Sequence, residues 1–133
     1  MSPRRCAASA QGPGTPRAAW RRGRAAEAFA SEGLVAAGWR VLDRNWTLPG
    51  GELDLVIERA GRLRFVEVKA RRPGDPSGPE SITAHKRRRL IRAARAWLAQ
   101  GDPQVEEIAF MLALVTLDPA GWTLELLDDP FDA

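Results

Sequence analysis

The sequence predicts an α/β domain with a central mixed β-sheet flanked by helices, and three observations predict it. Two stretches carry apolar residues at the three-and-four spacing of a helix face, and five carry the alternating or unbroken apolar runs of strands. Clusters of Gly and Pro separate them in the order α-β-β-β-α-β-β, a pattern that packs helices on a sheet. The chain has 133 residues and 44% apolar content, enough for one buried core.

The first helix is predicted from Ala26, Phe29, Ala30, Gly33, Leu34 and Ala37, with Gly38 as its stop. Glu27 lies beside Ala26 on the flank shared with Ala30 and Leu34, at the margin of the buried stripe. Residues 1–17 mix Pro, Gly, Ser, Ala and Arg without an apolar face, so they read as a disordered basic arm outside a single domain at 18–133. Three extended segments follow at 39–46, 52–58 and 62–69, with turns at Pro49-Gly50-Gly51 and Ala60-Gly61, and the last two segments read as a hairpin. Residues 83–100 form the second helix, with Leu90, Ile91, Ala94, Trp97 and Leu98 on one face and Arg88, Arg89, Arg92 and Arg95 largely off it. Gly101 and Pro103 close it. Residues 108–117 are almost continuously apolar, as in a central strand covered on both faces, and 122–127 alternate like an edge strand.

The net charge of +3 conceals a segregation. Up to Arg24 there are six arginines and no acid, and after Arg95 there are eight acids and no base. The basic arm and the cluster at 86–95 would attract a polyanion, because cations placed near phosphates release condensed counterions. Compositional bias toward Arg and Ala is the plainer alternative. No apolar run approaches the roughly 18 residues of a membrane span, and no apolar segment follows the N-terminal arginines as in a secretory signal, so a cytoplasmic protein without membrane contact is expected. An organellar transit peptide shares the Arg-rich, acid-poor start but not the Gly and Pro interruptions. Cys6 is the only cysteine, which excludes an intrachain disulfide and a multi-cysteine zinc site.

The chemistry concentrates in Gly51-Glu52-Leu53-Asp54-Leu55-Val56-Ile57 and Phe65-Val66-Glu67-Val68-Lys69. Side chains alternate along a strand, so Glu67 and Lys69 share a face, and a short hairpin brings Asp54 toward Glu67. Two close carboxylates repel unless a hard cation such as Mg²⁺ lies between them. Water acidified by such a cation and steered by a lysine is an adequate nucleophile for a phosphodiester. Taken alone, Glu-x-Lys on a strand is more often an exposed, salt-bridged face.

The combined pattern resembles the YraN-type family of small bacterial proteins, within the restriction-endonuclease-like, or PD-(D/E)xK, superfamily that includes archaeal Holliday-junction resolvases. The resemblance runs from about Gly23 to Val115, through Glu27, Gly38-Trp39-Arg40-Val41-Leu42 with Arg44-Asn45, Gly51-Glu52-Leu53-Asp54-Leu55, Phe65-Val66-Glu67-Val68-Lys69 with Arg71, and Lys86 with the basic helix after it. It implies a restriction-endonuclease-like fold. It also implies Asp54 and Glu67 as Mg²⁺ or Mn²⁺ ligands, Lys69 as the catalytic lysine, and Glu27 as an acid contributing to the metal site directly or through water. Glu52, Arg71 and Lys86 match positions that support the site or contact phosphate. Leu53 stands where the superfamily's name has proline. Ala109-Phe110-Met111 stands where the family usually reads Arg-Phe-Asp, so a charged pair is lost from that strand.

Two readings follow. One is a Mg²⁺- or Mn²⁺-dependent phosphodiesterase, an endonuclease on DNA, including branched or recombination intermediates. The other is a nucleic-acid-binding module or adaptor with the same fold and little catalysis, its contacts made by Lys86, Arg88, Arg89 and Arg92. A domain whose basic arm binds an acidic protein is a third reading without a motif. Two-fold substrates such as four-way junctions would suit a homodimer through the 108–117 strand or its neighbour. His85 reads as a solvated residue outside the site, and Trp39, Trp46, Trp97 and Trp122 read as core more readily than as stacking platforms. The Pro- and Gly-rich loop at 71–81 reads either as a cover over the substrate or as a plain connector.

Overall fold

The computed structural model describes residues 16–101 and 103–131, with 16–22 described by backbone alone. Its elements are α1 (Pro16–Ala36), β1 (Arg40–Leu48), β2 (Gly51–Arg59), β3 (Arg62–Arg71), a 3₁₀ turn (Pro79–Ser81), α2 (Ala84–Gln100), β4 (Glu107–Thr116) and β5 (Thr123–Asp128). The expected α-β-β-β-α-β-β order is observed. Residues 1–15 of the proposed arm, Cys6 included, lie outside the described residues.

α1 extends well before Ala26, and Pro16 and Arg17 belong to it rather than to the arm. Its first half is rich in Ala and Arg, both strong helix formers, and needs no apolar face to be helical. The apolar stripe begins where the sheet begins to cover it: Ala26, Phe29, Ala30 and Leu34 are fully buried. Gly38 ends the helix with φ +95°, its N–H bonding Val35 O while Trp39 N–H bonds Leu34 O, a paired closure that favours Gly.

The five strands form one sheet in the order β1-β2-β3-β4-β5, antiparallel except where β3 pairs with β4. Two-residue turns enforce the antiparallel pairs. Pro49-Gly50 joins β1 to β2 with Gly50 at φ +84°, and Ala60-Gly61 joins β2 to β3 with φ of +50° and +80°, the left-handed pair that matches strand twist. β3 reaches β4 through α2, long enough to cross over and return parallel. α1 packs on one face with Leu55, Ile57, Val66, Met111 and Val115. α2 packs on the other with Leu53, Val56, Phe65, Phe110 and Leu112. β4 is interior and its buried run is covered on both faces, while β5 is an edge, as the two apolar patterns predict.

α2 starts at Thr83, whose Oγ1 accepts from Lys86 N–H at 3.2 Å. Gly51 sits so close to it that an added Cβ would stand 2.9 Å from Arg89 O and 3.1 Å from the Ala93 Cβ. Trp39 and Trp122 are buried and Trp46 packs into the α2 core, while Trp97 also donates its indole N–H to Asp43 Oδ2 at 3.0 Å.

The charged pair missing from Ala109 and Met111 is rebuilt one strand to either side. Arg64 pairs in register with Ala109, and Asp128 with Met111. The Arg64 side chain is only 4% exposed, yet Nε donates to Asp128 Oδ1 at 2.6 Å and Nη2 to Glu107 Oε2 at 2.8 Å. The guanidinium thus spans β4 and ties β3 to β5. Among the described residues no helix is long and apolar enough to cross a membrane.

Candidate functional site

At one end of the sheet the central hairpin forks. The β2–β3 ladder runs from Arg59–Arg62 to Leu55–Val66 and stops, one step short of setting Asp54 opposite Glu67. Past that step the Asp54 carboxylate replaces the ladder, accepting Val68 N–H on Oδ2 at 2.7 Å. The strand turns over at the same place: Leu55 packs on the α1 face, whereas Leu53, two residues earlier, packs on the α2 face. On the other side of Asp54 the β1–β2 register passes Asn45, a non-glycine residue at φ +48°. Both neighbours of Asp54 therefore leave regular pairing beside it, which opens a cleft lined by side chains instead of backbone.

Four carboxylates edge this cleft. Asp54 is 5% exposed, and burial first, then the charge of Glu67, push its carboxyl up to about 8 despite the Val68 N–H. Burial also raises Glu67, to about 7, against the opposing field of Lys86, with Glu52 and Glu27 adding to the rise. Glu27 is raised mainly by burial, partly offset by Arg24. Its Oε2 is buried and accepts no hydrogen bond, with Arg24 Nη1 3.5 Å away. Glu52 is exposed between two hollows. A hollow of about 160 Å³ is lined by Glu52, Glu67, Lys86, Arg89 and Leu90. A larger one of about 450 Å³ is lined by Gly23, Arg24, Glu27, Asn45, Thr47 and Glu52.

The residues named from the sequence divide into groups. Asp54, Glu67, Glu52, Glu27, Lys86 and Arg89 meet around this cleft. Lys69 follows Glu67 on the α2-facing side of β3, but its charge acts on Asp75 and Glu80 of the following loop, and Lys86 is the cation whose field reaches Glu67. Arg71 turns to the β5 side, donating to Thr116 Oγ1, Ser77 O and Glu125 Oε2 and so fastening the 72–78 loop to the sheet. Arg88, Ile91, Arg92 and Arg95 line a separate surface hollow on α2, and Arg92 Nε also holds Pro49 O of the β1–β2 turn. His85 is exposed. Sequence reasoning missed Asn45, whose only signal was an Asn breaking the apolar alternation of β1, and Arg64, a lone cation inside Leu63-Arg64-Phe65-Val66.

Among the described residues no group of three or more His, Cys, Asp or Glu side chains stands ready to hold a metal ion. The donor set therefore does not suit a caged ion such as zinc. It suits a hard cation that keeps most of its waters and takes one or two carboxylates, for which Asp54 and Glu67 are the paired, desolvated acids and Glu27 Oε2 an unsatisfied acceptor nearby.

A mixed sheet between two helices, its central hairpin forked around buried acids, defines the class: a restriction-endonuclease-like α/β domain. The chain belongs to the uncharacterised protein family UPF0102, whose model matches residues 26–116. A UPF0102 protein of Nitratidesulfovibrio vulgaris (strain DP4) is 44% identical over 100 residues, 74% of this chain and 75% of its own. One of Methylobacterium nodulans is 40% identical over 111 residues, 84% of each chain. One of Nitrobacter winogradskyi is 39% identical over 116 residues, 87% of this chain and 96% of its own. The resemblance read from the sequence motifs holds across the whole span of the sheet up to the end of β4.

Proposed function

We propose that this protein is a Mg²⁺- or Mn²⁺-dependent endonuclease acting on DNA, with branched or recombination intermediates among its substrates. The observation that carries the reading is the fork at Asp54. A carboxylate that spends one oxygen on Val68 N–H and faces Glu67 in a desolvated cleft is costly to fold unless the acids serve a ligand. A bound divalent cation supplies Lewis-acid activation of water and neutralises charge on the phosphate. The chain's own groups do the rest. Asp54 and Glu67 hold the cation, Glu27 supports them, and the Lys69 ammonium orients the attacking water. Lys86 and Arg89, which line the smaller hollow beside Glu67, hold the oxygens of the scissile phosphate.

The test is incubation with linear, single-stranded, flapped and four-way-junction DNA in Mg²⁺, Mn²⁺ or EDTA. Cleavage should need the cation and vanish in Glu67→Ala and Lys69→Ala, while Lys86→Ala weakens binding without abolishing cleavage. Cleavage retained in the first two variants would sink the assignment. A second reading is favoured by the exposed cations of α2 together with the missing third ligand: a nucleic-acid-binding module or adaptor with little catalysis. It predicts salt-sensitive binding with no product on any of these substrates.

A further inference from the structure

We infer that the larger hollow, between α1 and the start of the β1–β2 hairpin, takes one unpaired nucleobase that carries an exocyclic amino group. The inference rests on the nucleic-acid reading above and deepens it. It starts from how charge is sorted around Glu52. The smaller hollow, about 160 Å³, has the cations Lys86 and Arg89 on its wall and suits a phosphate. The larger, about 450 Å³, shares Glu52 with it but is walled by Glu27 and Glu52 against one cation, Arg24, which already stands 3.5 Å from Glu27 Oε2. A phosphate is repelled there. The volume falls within the roughly 300–1,000 Å³ that holds small organic ligands, so the next part of a nucleotide chain, its base, is what can occupy it.

The polar groups in the larger hollow are mostly acceptors. Glu27 Oε2 is buried and accepts nothing, and the Glu52 carboxylate is free of any hydrogen bond among the described residues. Asn45 is hydrogen-bonded to Glu27 through its side chain, so its amide oxygen is the group left for a ligand. Thr47 adds a hydroxyl. Acceptors select donors: adenine, cytosine and guanine present an amino group, whereas thymine presents carbonyl oxygens in its place. In a duplex that amino group is spent on the paired base and the base is stacked, so a base entering here is unpaired or flipped out. Asn45 supports the same site independently. Its φ of +48° is sparsely populated for a residue with a Cβ, and such strain persists where a side chain must be aimed.

The experiment measures binding by fluorescence anisotropy of labelled single-stranded oligodeoxyadenylate, oligodeoxycytidylate and oligothymidylate in EDTA and in Ca²⁺, so no cleavage is needed. The same protein is then titrated with a duplex carrying one bulged adenine and with the fully paired duplex. Adenine and cytosine strands should bind roughly tenfold or more tightly than thymine strands, the value of one good base-edge contact. The bulged duplex should bind more tightly than the paired one. In Asn45→Gly, which keeps the left-handed backbone and removes the amide, and in Thr47→Val, the ratio of thymine to adenine Kd should fall toward one. Equal Kd for thymine and adenine strands in the parent, or a preference that survives both variants, would overturn the inference. Base preference without cleavage in Mg²⁺ would leave it standing and overturn the nuclease reading. Absence of binding to every strand would overturn both.

Discussion

Taking the cation-free protein from pH 5 to pH 9 must ionise the cleft. Asp54 rises from 3.8 to about 8, by burial first and the charge of Glu67 second, and Glu67 rises from 4.5 to about 7, chiefly by burial. A group whose pKa is higher folded than unfolded binds its proton more tightly in the folded state. The stability it contributes is complete below about pH 4 and is lost as pH rises through 7 to 8. For Asp54 the rise is about 4 units, and at ~1.4 kcal/mol each this sets an upper bound of roughly 5 kcal/mol on the loss. The two acids share their repulsion, so the rise of Glu67 does not add in full. Urea titrations in EDTA should therefore show the parent losing several kcal/mol between pH 5 and pH 9. Asp54→Asn keeps a side-chain oxygen for Val68 N–H while removing the charge, and should lose much less. Mg²⁺ or Mn²⁺ should restore stability increasingly with pH, because the cation binds the deprotonated pair. Parent stability that stays flat in EDTA, or an Asn variant as steep as the parent, would refute the shared desolvated site.

Other outcomes follow from particular contacts. Gly51→Ala should cost about 1–3 kcal/mol in the urea midpoint, since its Cβ would lie 2.9 Å from Arg89 O with little room to shift. Asp128→Ala should cost about 2 kcal/mol, the value of hydrogen bonds to a charged group that keeps Glu107 as a partner, and Arg64→Met should cost less than the removal of both acids. Leu34→Ala, at a side chain with no exposure beneath α1, should cost about 2–5 kcal/mol. Replacing Lys86, Arg89 and Arg92 together should lower the slope of log Kd against log salt for duplex DNA by roughly 2–3, about 0.9 for each lost phosphate contact. An unchanged slope would remove α2 from the interface.

Periodicity made the order of elements legible because each element buries a face. The six-residue stripe from Ala26 to Ala37 located α1, and the apolar run in β4 located a strand covered twice. The stripe could not show where α1 begins, because Ala and Arg residues before Ala26 are helical by propensity rather than by burial. Alternation also failed at Asp54, where Leu53 and Leu55 face opposite sides although strand period would place them together. Arg64 was hidden for a different reason. Its partners Glu107 and Asp128 lie 43 and 64 residues away, and only the strand order puts them beside it. Lys69 shows the limit of motif spacing: adjacency to Glu67 on one face was legible, but the acids its charge meets, Asp75 and Glu80, come from a loop with no period.

The fork also decides which variant can separate chemistry from folding. Asp54 has two roles, since its Oδ2 closes the bond that the β2–β3 ladder leaves to Val68 N–H, so truncation to Ala strands a buried donor as well as removing a ligand. Lost cleavage in Asp54→Ala thus has two explanations. Glu67 takes no hydrogen bond among the described residues, and its charge is opposed by Lys86 from α2 rather than spent on the sheet. Glu67→Gln should accordingly keep or raise stability at pH 8 in EDTA, because it removes a disfavoured charge, while abolishing any gain in stability from Mn²⁺. Loss of stability in Glu67→Gln at that pH would mean that its carboxylate braces the fold, and the fork at Asp54 would then be a structural device rather than a ligand site.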